Sequence, residues 1–250
     1  MNIGQMQTRS RALGRHITFS FSLPDPQEAG PPPYPALLQL HGATDDHSAW
    51  ITRSKLAVYL DNKPLIAIMP DGGLSLWGNR GPRERYEDFL MEDLLPTCSA
   101  LCPVRPGPWA IGGLSMGGFG ALRLGLKYPH RFASIWAHSS FIPDRPALRE
   151  RFPDMTAEEL DHFDIYAIAA EAVKAPTRPR LSLDCGTEDF LIEHNRAFHD
   201  HLQKLNYPHE YAEHPGAHTW EYWDEHVQQA IPQHLEVLGV TAQASDELSA

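Results

Sequence analysis

Positive charge is scarce in this chain: 21 Lys and Arg stand against 32 Asp and Glu over 250 residues, a formal net charge of −11. A nucleic-acid backbone needs clustered cations to displace its counterions. The nearest approach to a cluster, Arg80, Arg83 and Arg85, is interleaved with Glu84, Glu87 and Asp88, the pattern of a solvated loop. Cysteine is scarcer. Cys98, Cys102 and Cys185 make an odd number in a chain too long to depend on disulfide staples, so they read as free thiols. Cys98 and Cys102 fit one helix face, yet no neighbouring Cys or His pair completes a metal site. No stretch approaches the roughly 20 apolar residues of a membrane span, and "MNIGQMQTRSRALGRHITF" has no apolar run of signal-peptide length. Together these absences predict a cytoplasmic protein with no nucleic-acid or membrane partner and no metal.

Against them stands an ordinary globular composition, 42% hydrophobic and 21% charged, enough for a sizeable core. Apolar runs and helical patterns alternate along the chain. "RHITFSFSLP" and "ALLQL" read as strands, "SKLAVYLDN" as a helix, "PLIAIMP" as a buried strand and "YEDFLMEDLLPTCSAL" as a helix. "PWAIGG" and "FASIWAHSS" are strands flanking the helical "MGGFGALRLGLKYP". "RLSLDCG" and "HEYAEHPG" are two more strands, separated by the helical "DFLIEHNRAFHDHLQKL", and "WEYWDEHVQQAIPQHLEVL" closes with a helix. Such alternation predicts one parallel-dominated sheet with helices on both faces. A single domain over 1–250 is expected. It carries one helical, polar excursion at 141–176, open to being a lid or a pocket wall, and a frayed tail at 241–250.

The chemistry is concentrated at "AIGGLSMGGFGAL", residues 110–122, where glycines surround Ser115 between a strand and a helix. G-x-S-x-G in that context is a nucleophile elbow: the turn is too tight for a Cβ at the glycine positions, and the serine Oγ is left exposed at the head of a helix. The alternative is a strand-to-helix turn whose serine merely caps the helix. A serine hydroxyl becomes a nucleophile only when a base takes its proton and an acid holds the base in its tautomer. Both should follow in order, each in a loop after a later strand. "DCGTEDF" offers Asp184, Glu188 and Asp189. Asp184 belongs to the strand end, and Asp189, beyond a glycine turn, is favoured over Glu188, with a helix cap as its other reading. "EHPGAHTW" offers His214, at a strand end, and His218, free in a loop and favoured. An oxyanion needs two backbone N–H donors. Met116 supplies one, and Ala43 in "LQLHGATDD" the other, with Gly42 as runner-up and His41 propping the loop.

These segments, with "IAIMPDGG", "YEDFLMEDLLP", "CGTEDF" and "HPGAHTWEYWDEHV", resemble in order the putative esterase family of α/β hydrolases over about residues 10–235. That group includes esterase D or S-formylglutathione hydrolases, tributyrin-type esterases, feruloyl and acetylxylan esterases and mycolyltransferases. The resemblance implies the α/β-hydrolase fold, a Ser115, Asp189, His218 triad and Met116 and Ala43 as oxyanion donors. "GLSMGGFGAL" is closer to the small tributyrin-type carboxylesterases than to the S-formylglutathione hydrolases, which tend to carry histidine where Phe119 stands.

The expected activity is hydrolysis of short-chain acyl or small aryl esters through an acyl-enzyme on Ser115, with no cofactor. Thioester hydrolysis and acyl transfer to another alcohol are the alternatives. The partner is a small-molecule ester, and a homo-oligomer is left open. Trp50, Trp77, Trp220 and Tyr222 are candidates for lining the substrate pocket, with core packing as the competing role of each. His194, His199 and His201 could suggest a metal hydrolase, but His199 leaves the face shared by the other two, which favours a solvated helix.

Overall fold

A computed structural model describes residues 1–240; the tail expected at 241–250 lies outside the described residues. Eight strands form the main sheet: β1 (Asn2–Ser10), β2 (Arg15–Leu23), β3 (Ala36–Leu40), β4 (Ile66–Pro70), β5 (Trp109–Leu114), β6 (Phe132–His138), β7 (Arg180–Gly186) and β8 (Glu210–His214). Their order across the sheet is β1-β2-β4-β3-β5-β6-β7-β8. β1 and β2 form an antiparallel pair, β2 runs antiparallel to β4, and every pairing from β4 to β8 is parallel.

The central parallel strands β3, β4 and β5 are largely apolar on both faces because both faces are covered. Leu38, Ile66, Ile68 and Ile111 point into the larger core, while Leu37, Ala67, Met69 and Ala110 point into a smaller one on the opposite face. The alternation follows from the two-residue period of a strand. The helix Met116–Lys127 packs into the larger core, and Trp220–Val237 closes the smaller one.

The N-terminal segment, unassigned from sequence, forms β1, whose residues are mostly half-buried or exposed at the sheet edge. "SKLAVYLDN" yields only the short helical turn Leu56–Tyr59. The helix expected after it is an α-helical turn at Tyr86–Asp88, a π-helical turn at Phe89–Leu94 and an α-helix at Leu95–Leu101, with Pro96 near the start of the last. Between 141 and 176 lie three helices, Arg145–Arg151, Ala157–Phe163 and Ile165–Ala172. They are tied to the rest of the molecule. Phe163 stacks on Phe119 of the Met116–Lys127 helix with centroids 6.4 Å apart, and Arg80 reaches Asp154 at 2.8 Å.

A buried charge cluster holds this region together. Arg123, fully buried, pairs with Glu87, which also accepts from Lys127 at 2.6 Å and Tyr128 at 2.5 Å and lies 3.2 Å from His162. Burial pushes the Glu87 carboxyl up, but the Arg123 charge and the hydrogen bonds from its neighbours outweigh it and hold the group far below the usual carboxylate range.

Candidate active site

Parallel strands bring their C-terminal ends to one edge, and four loops meet there. Ser115 follows β5 with φ 54° and ψ −117°, a left-handed conformation that costs a non-glycine residue about 1–3 kcal/mol. Three backbone bonds over-determine it: Ser115 N–H donates to His138 at 2.9 Å, and the Ser115 carbonyl accepts from Phe119 and Phe141, both at 3.1 Å. The flanking glycines are steric necessities. A Cβ on Gly113 would sit 2.5 Å from the backbone of Gly117, and one on Gly117 would sit 2.6 Å from the His41 carbonyl oxygen and closer still to that of Leu40.

Ser115 makes no side-chain cap to the helix it opens. Its Oγ instead lies 3.1 Å from His218 Nε2, and His218 Nδ1 lies 2.8 Å from Asp189 Oδ2. Asp189 is buried and uses both oxygens, because Oδ1 accepts the Leu191 N–H at 2.8 Å. One carboxylate therefore makes both the local turn and the contact to His218, and the helix that follows, Ile192–Lys204, has Leu191 at its N-cap with no side-chain cap from Asp189. His218 itself is half-buried, meeting Trp223 edge-on with centroids 4.8 Å apart and Phe190 at 4.5 Å.

Met116 begins the helix directly after Ser115, and Ala43 lies in the loop after β3, next to β5. Among the described residues neither N–H donates a hydrogen bond within the protein. Gly42 is pressed against the elbow: a Cβ there would come within 3.5 Å of Ser115 Cβ and 2.6 Å of Leu114 Cδ1. His41 is buried, and its Nε2 accepts the Gly72 N–H at 2.9 Å, so its ring proton sits on Nδ1 and is donated to the Gly42 carbonyl at 2.7 Å. Burial lowers its pKa and keeps it neutral in that role. The expected prop under the loop is this imidazole.

Of the pocket candidates, Trp50 and Trp77 are core residues. Trp50 and Trp77 are 1% and 0% exposed, and their indole N–H groups are spent on the carbonyls of Leu40 and His41, at 3.0 and 3.3 Å. They pack beneath the β3 loop and do not reach an opening. Trp220 is half-buried, edge-on to both Trp50 and Trp223. Tyr222 is buried and donates to Asp184 Oδ1 at 2.9 Å. Of the other acids, Glu188 is exposed and Asp184 is fully buried. His214 stacks on His226. His194, His199 and His201 face different partners: Phe141, His209 and the Tyr166 carbonyl.

The sequence places Asp184 at a strand end but does not reveal the network it gathers there. Asp184 Oδ2 accepts from Trp136 Nε1 at 2.6 Å and His138 Nδ1 at 2.7 Å, so with Tyr222 it holds three donors. Burial pushes its carboxyl up, but His138, Trp136 and Tyr222 together bring it below its ordinary range. The network links β6, whose His138 carbonyl anchors Ser115, to the helix that follows His218. A histidine and an aspartate near the ends of largely buried strands were the available signal.

The family model described as Putative esterase matches residues 10–234. The chain belongs to that esterase family. An acetyl esterase of Caldicellulosiruptor saccharolyticus is 28% identical over 215 residues, covering 78% of this chain and 81% of the relative. Two solved structures from Staphylococcus aureus share the fold. The fluorophosphonate-binding serine hydrolase FphF superposes with a TM-score of 0.84 at 24% identity, covering 94% of this esterase and 98% of the neighbour. The S-formylglutathione hydrolase FrmB gives 0.80 at 24%, covering 94% and 100%. This esterase thus has the α/β-hydrolase fold, and no helix among its described residues is long and apolar enough to cross a membrane.

Proposed function

We propose that Ser115, Asp189 and His218 are the nucleophile, acid and base of a cofactor-independent carboxylesterase for short-chain acyl or small aryl esters. The observation that carries this is the unbroken chain of hydrogen bonds from Ser115 Oγ through both imidazole nitrogens to Asp189. His218 Nε2 takes the serine proton as Oγ attacks the ester carbonyl. The oxyanion formed is held by the Met116 and Ala43 N–H groups, each worth roughly 100- to 1000-fold in kcat. His218 then protonates the leaving alcohol, and the acyl group stays on Ser115. Water, deprotonated by the same imidazole, attacks the acyl carbon and releases the acid, restoring Ser115. Asp189 keeps the Nδ1 proton in place throughout and stabilises the imidazolium.

The 141–176 excursion serves in this reading as a fixed pocket wall of a single catalytic domain. Its start at Phe141 is bonded to the Ser115 carbonyl, and Phe163 is stacked on the elbow helix. Free thiols at Cys98, Cys102 and Cys185, two of them buried, suit a reducing, cytoplasmic setting.

The test is turnover of p-nitrophenyl acetate and butyrate beside S-formylglutathione, in the wild type and in Ser115→Ala. We expect ester hydrolysis that falls at least about 1,000-fold in Ser115→Ala, with loss of fluorophosphonate labelling. Residual activity within tenfold of wild type would refute the assignment, and a strong preference for the thioester would move the substrate class.

A further inference from the structure

We infer that Phe190 is the platform for the alcohol half of the ester, and that this enzyme favours leaving alcohols carrying an aromatic or bulky apolar group. The inference rests on the catalytic roles proposed above.

Phe190 is 75% exposed, although its neighbours Asp189 and Leu191 are buried. Single exposed apolar side chains are ordinary on protein surfaces, so exposure alone carries nothing. Position does. The Phe190 ring centroid lies 4.5 Å from that of His218, with the planes inclined by 51°. The turn bearing it is closed on both sides: Asp189 Oδ1 accepts the Leu191 N–H at 2.8 Å, the Asp189 carbonyl accepts from Ile192 at 3.0 Å, and Asp189 N–H donates to Gly186 at 3.1 Å. The backbone at Phe190 is fixed by the same carboxylate that holds the imidazole, so its ring is presented to solvent beside the base.

The chemistry of the reaction decides which half of a substrate meets that ring. The leaving oxygen must come within about 2.6–3.2 Å of His218 Nε2 to be protonated. Its attached carbons lie one or two bonds further on, within reach of a ring packed against the same imidazole. The carbonyl oxygen is drawn instead towards Met116 and Ala43, on the β3 and β5 side, and the acyl chain goes with the carbonyl carbon bonded to Ser115. Phe190 therefore touches the alcohol and leaves the acyl chain alone. An aromatic alcohol would cover the exposed ring and gain both apolar burial and an aromatic pair.

The experiment compares kcat/KM for benzyl acetate and ethyl acetate, which share an acyl group and an alkyl-type leaving oxygen, by following acid release at constant pH. In Phe190→Ala the benzyl-to-ethyl ratio should fall about three- to tenfold, the worth of an aromatic pair. Phe190→Tyr should restore the ratio, and the p-nitrophenyl acetate-to-butyrate ratio should stay within twofold. An unchanged benzyl-to-ethyl ratio in a folded Phe190→Ala protein overturns the inference and leaves the esterase reading intact, since wild-type turnover persists. A shift in the acyl ratio in place of the alcohol ratio overturns it equally. Failure of the wild type to turn over any ester or to accept a fluorophosphonate at Ser115 ends both readings.

Discussion

Replacing Gly117 by alanine sets two known effects against each other within one methyl group. Gly117 lies in the first turn of the Met116–Lys127 helix, and exchanging glycine for alanine inside a helix is normally worth about 1 kcal/mol of stability. Here the new Cβ would lie 2.6 Å from the His41 carbonyl oxygen. Ordinary contact requires a retreat of about 0.8 Å, and overpacking of this kind costs about 1–3 kcal/mol. The opposing carbonyls cannot swing aside freely, because those of Leu40 and His41 are held by the indoles of Trp50 and Trp77. The clash therefore wins, and it is relieved by moving either the elbow or the loop that carries Ala43. A displacement near 1 Å at either costs about 100-fold in rate. Gly125→Ala in the same helix is the control: its Cβ would meet side chains and not the carbonyls beside Ser115, with Ile135 Cγ1 at 2.5 Å and Ile111 Cγ2 at 3.3 Å among its nearest neighbours. Urea unfolding and kcat on p-nitrophenyl acetate, normalised to fluorophosphonate-reactive sites, should show Gly117→Ala destabilised by up to about 2 kcal/mol and slowed about 100-fold. Gly125→Ala should keep kcat within threefold. If the two variants behave alike, the steric account of the elbow is wrong.

Glu87→Gln strands the buried Arg123 charge and should cost about 3–5 kcal/mol at neutral pH, measured by urea midpoint. Because the folded Glu87 carboxyl is held far down, its contribution is full above the unfolded pKa of about 4.3 and is lost as pH falls below it. The gap between wild type and variant should accordingly narrow from pH 5 to 3, and a constant gap would refute the pairing. Tyr222→Phe removes the one side-chain donor to Asp184 Oδ1 among the described residues and should lower stability by about 1–3 kcal/mol, whereas an unchanged midpoint would show that oxygen to be satisfied otherwise.

The elbow was legible because its constraint is local: a strand, a tight turn and a helix write their glycines within five residues. The hydrogen-bond chain joining Ser115, His218 and Asp189 was legible for a different reason, the fixed succession of strands that brings distant loops to one edge. Exposure was not legible. Trp50 and Trp77 stand in loop-rich segments beside the motifs, and only the packing of the β3 loop over them shows that they serve as its floor. β1 escaped because an edge strand with half-exposed residues leaves only a weak alternation. Glu87 and Arg123 lie 36 positions apart, so their pairing could not be read from a helical face.

The 103 positions between Ser115 and His218 also set an order of events during synthesis. Translation at about 5–20 residues per second separates their emergence by roughly 5–20 s. In that interval a nascent chain owns the elbow, and later the carboxylate, while its hydroxyl remains an ordinary alcohol. Under the proposed mechanism, reactivity would arrive only when β8 and the helix behind it dock, leaving the unfinished polypeptide chemically silent on the ribosome.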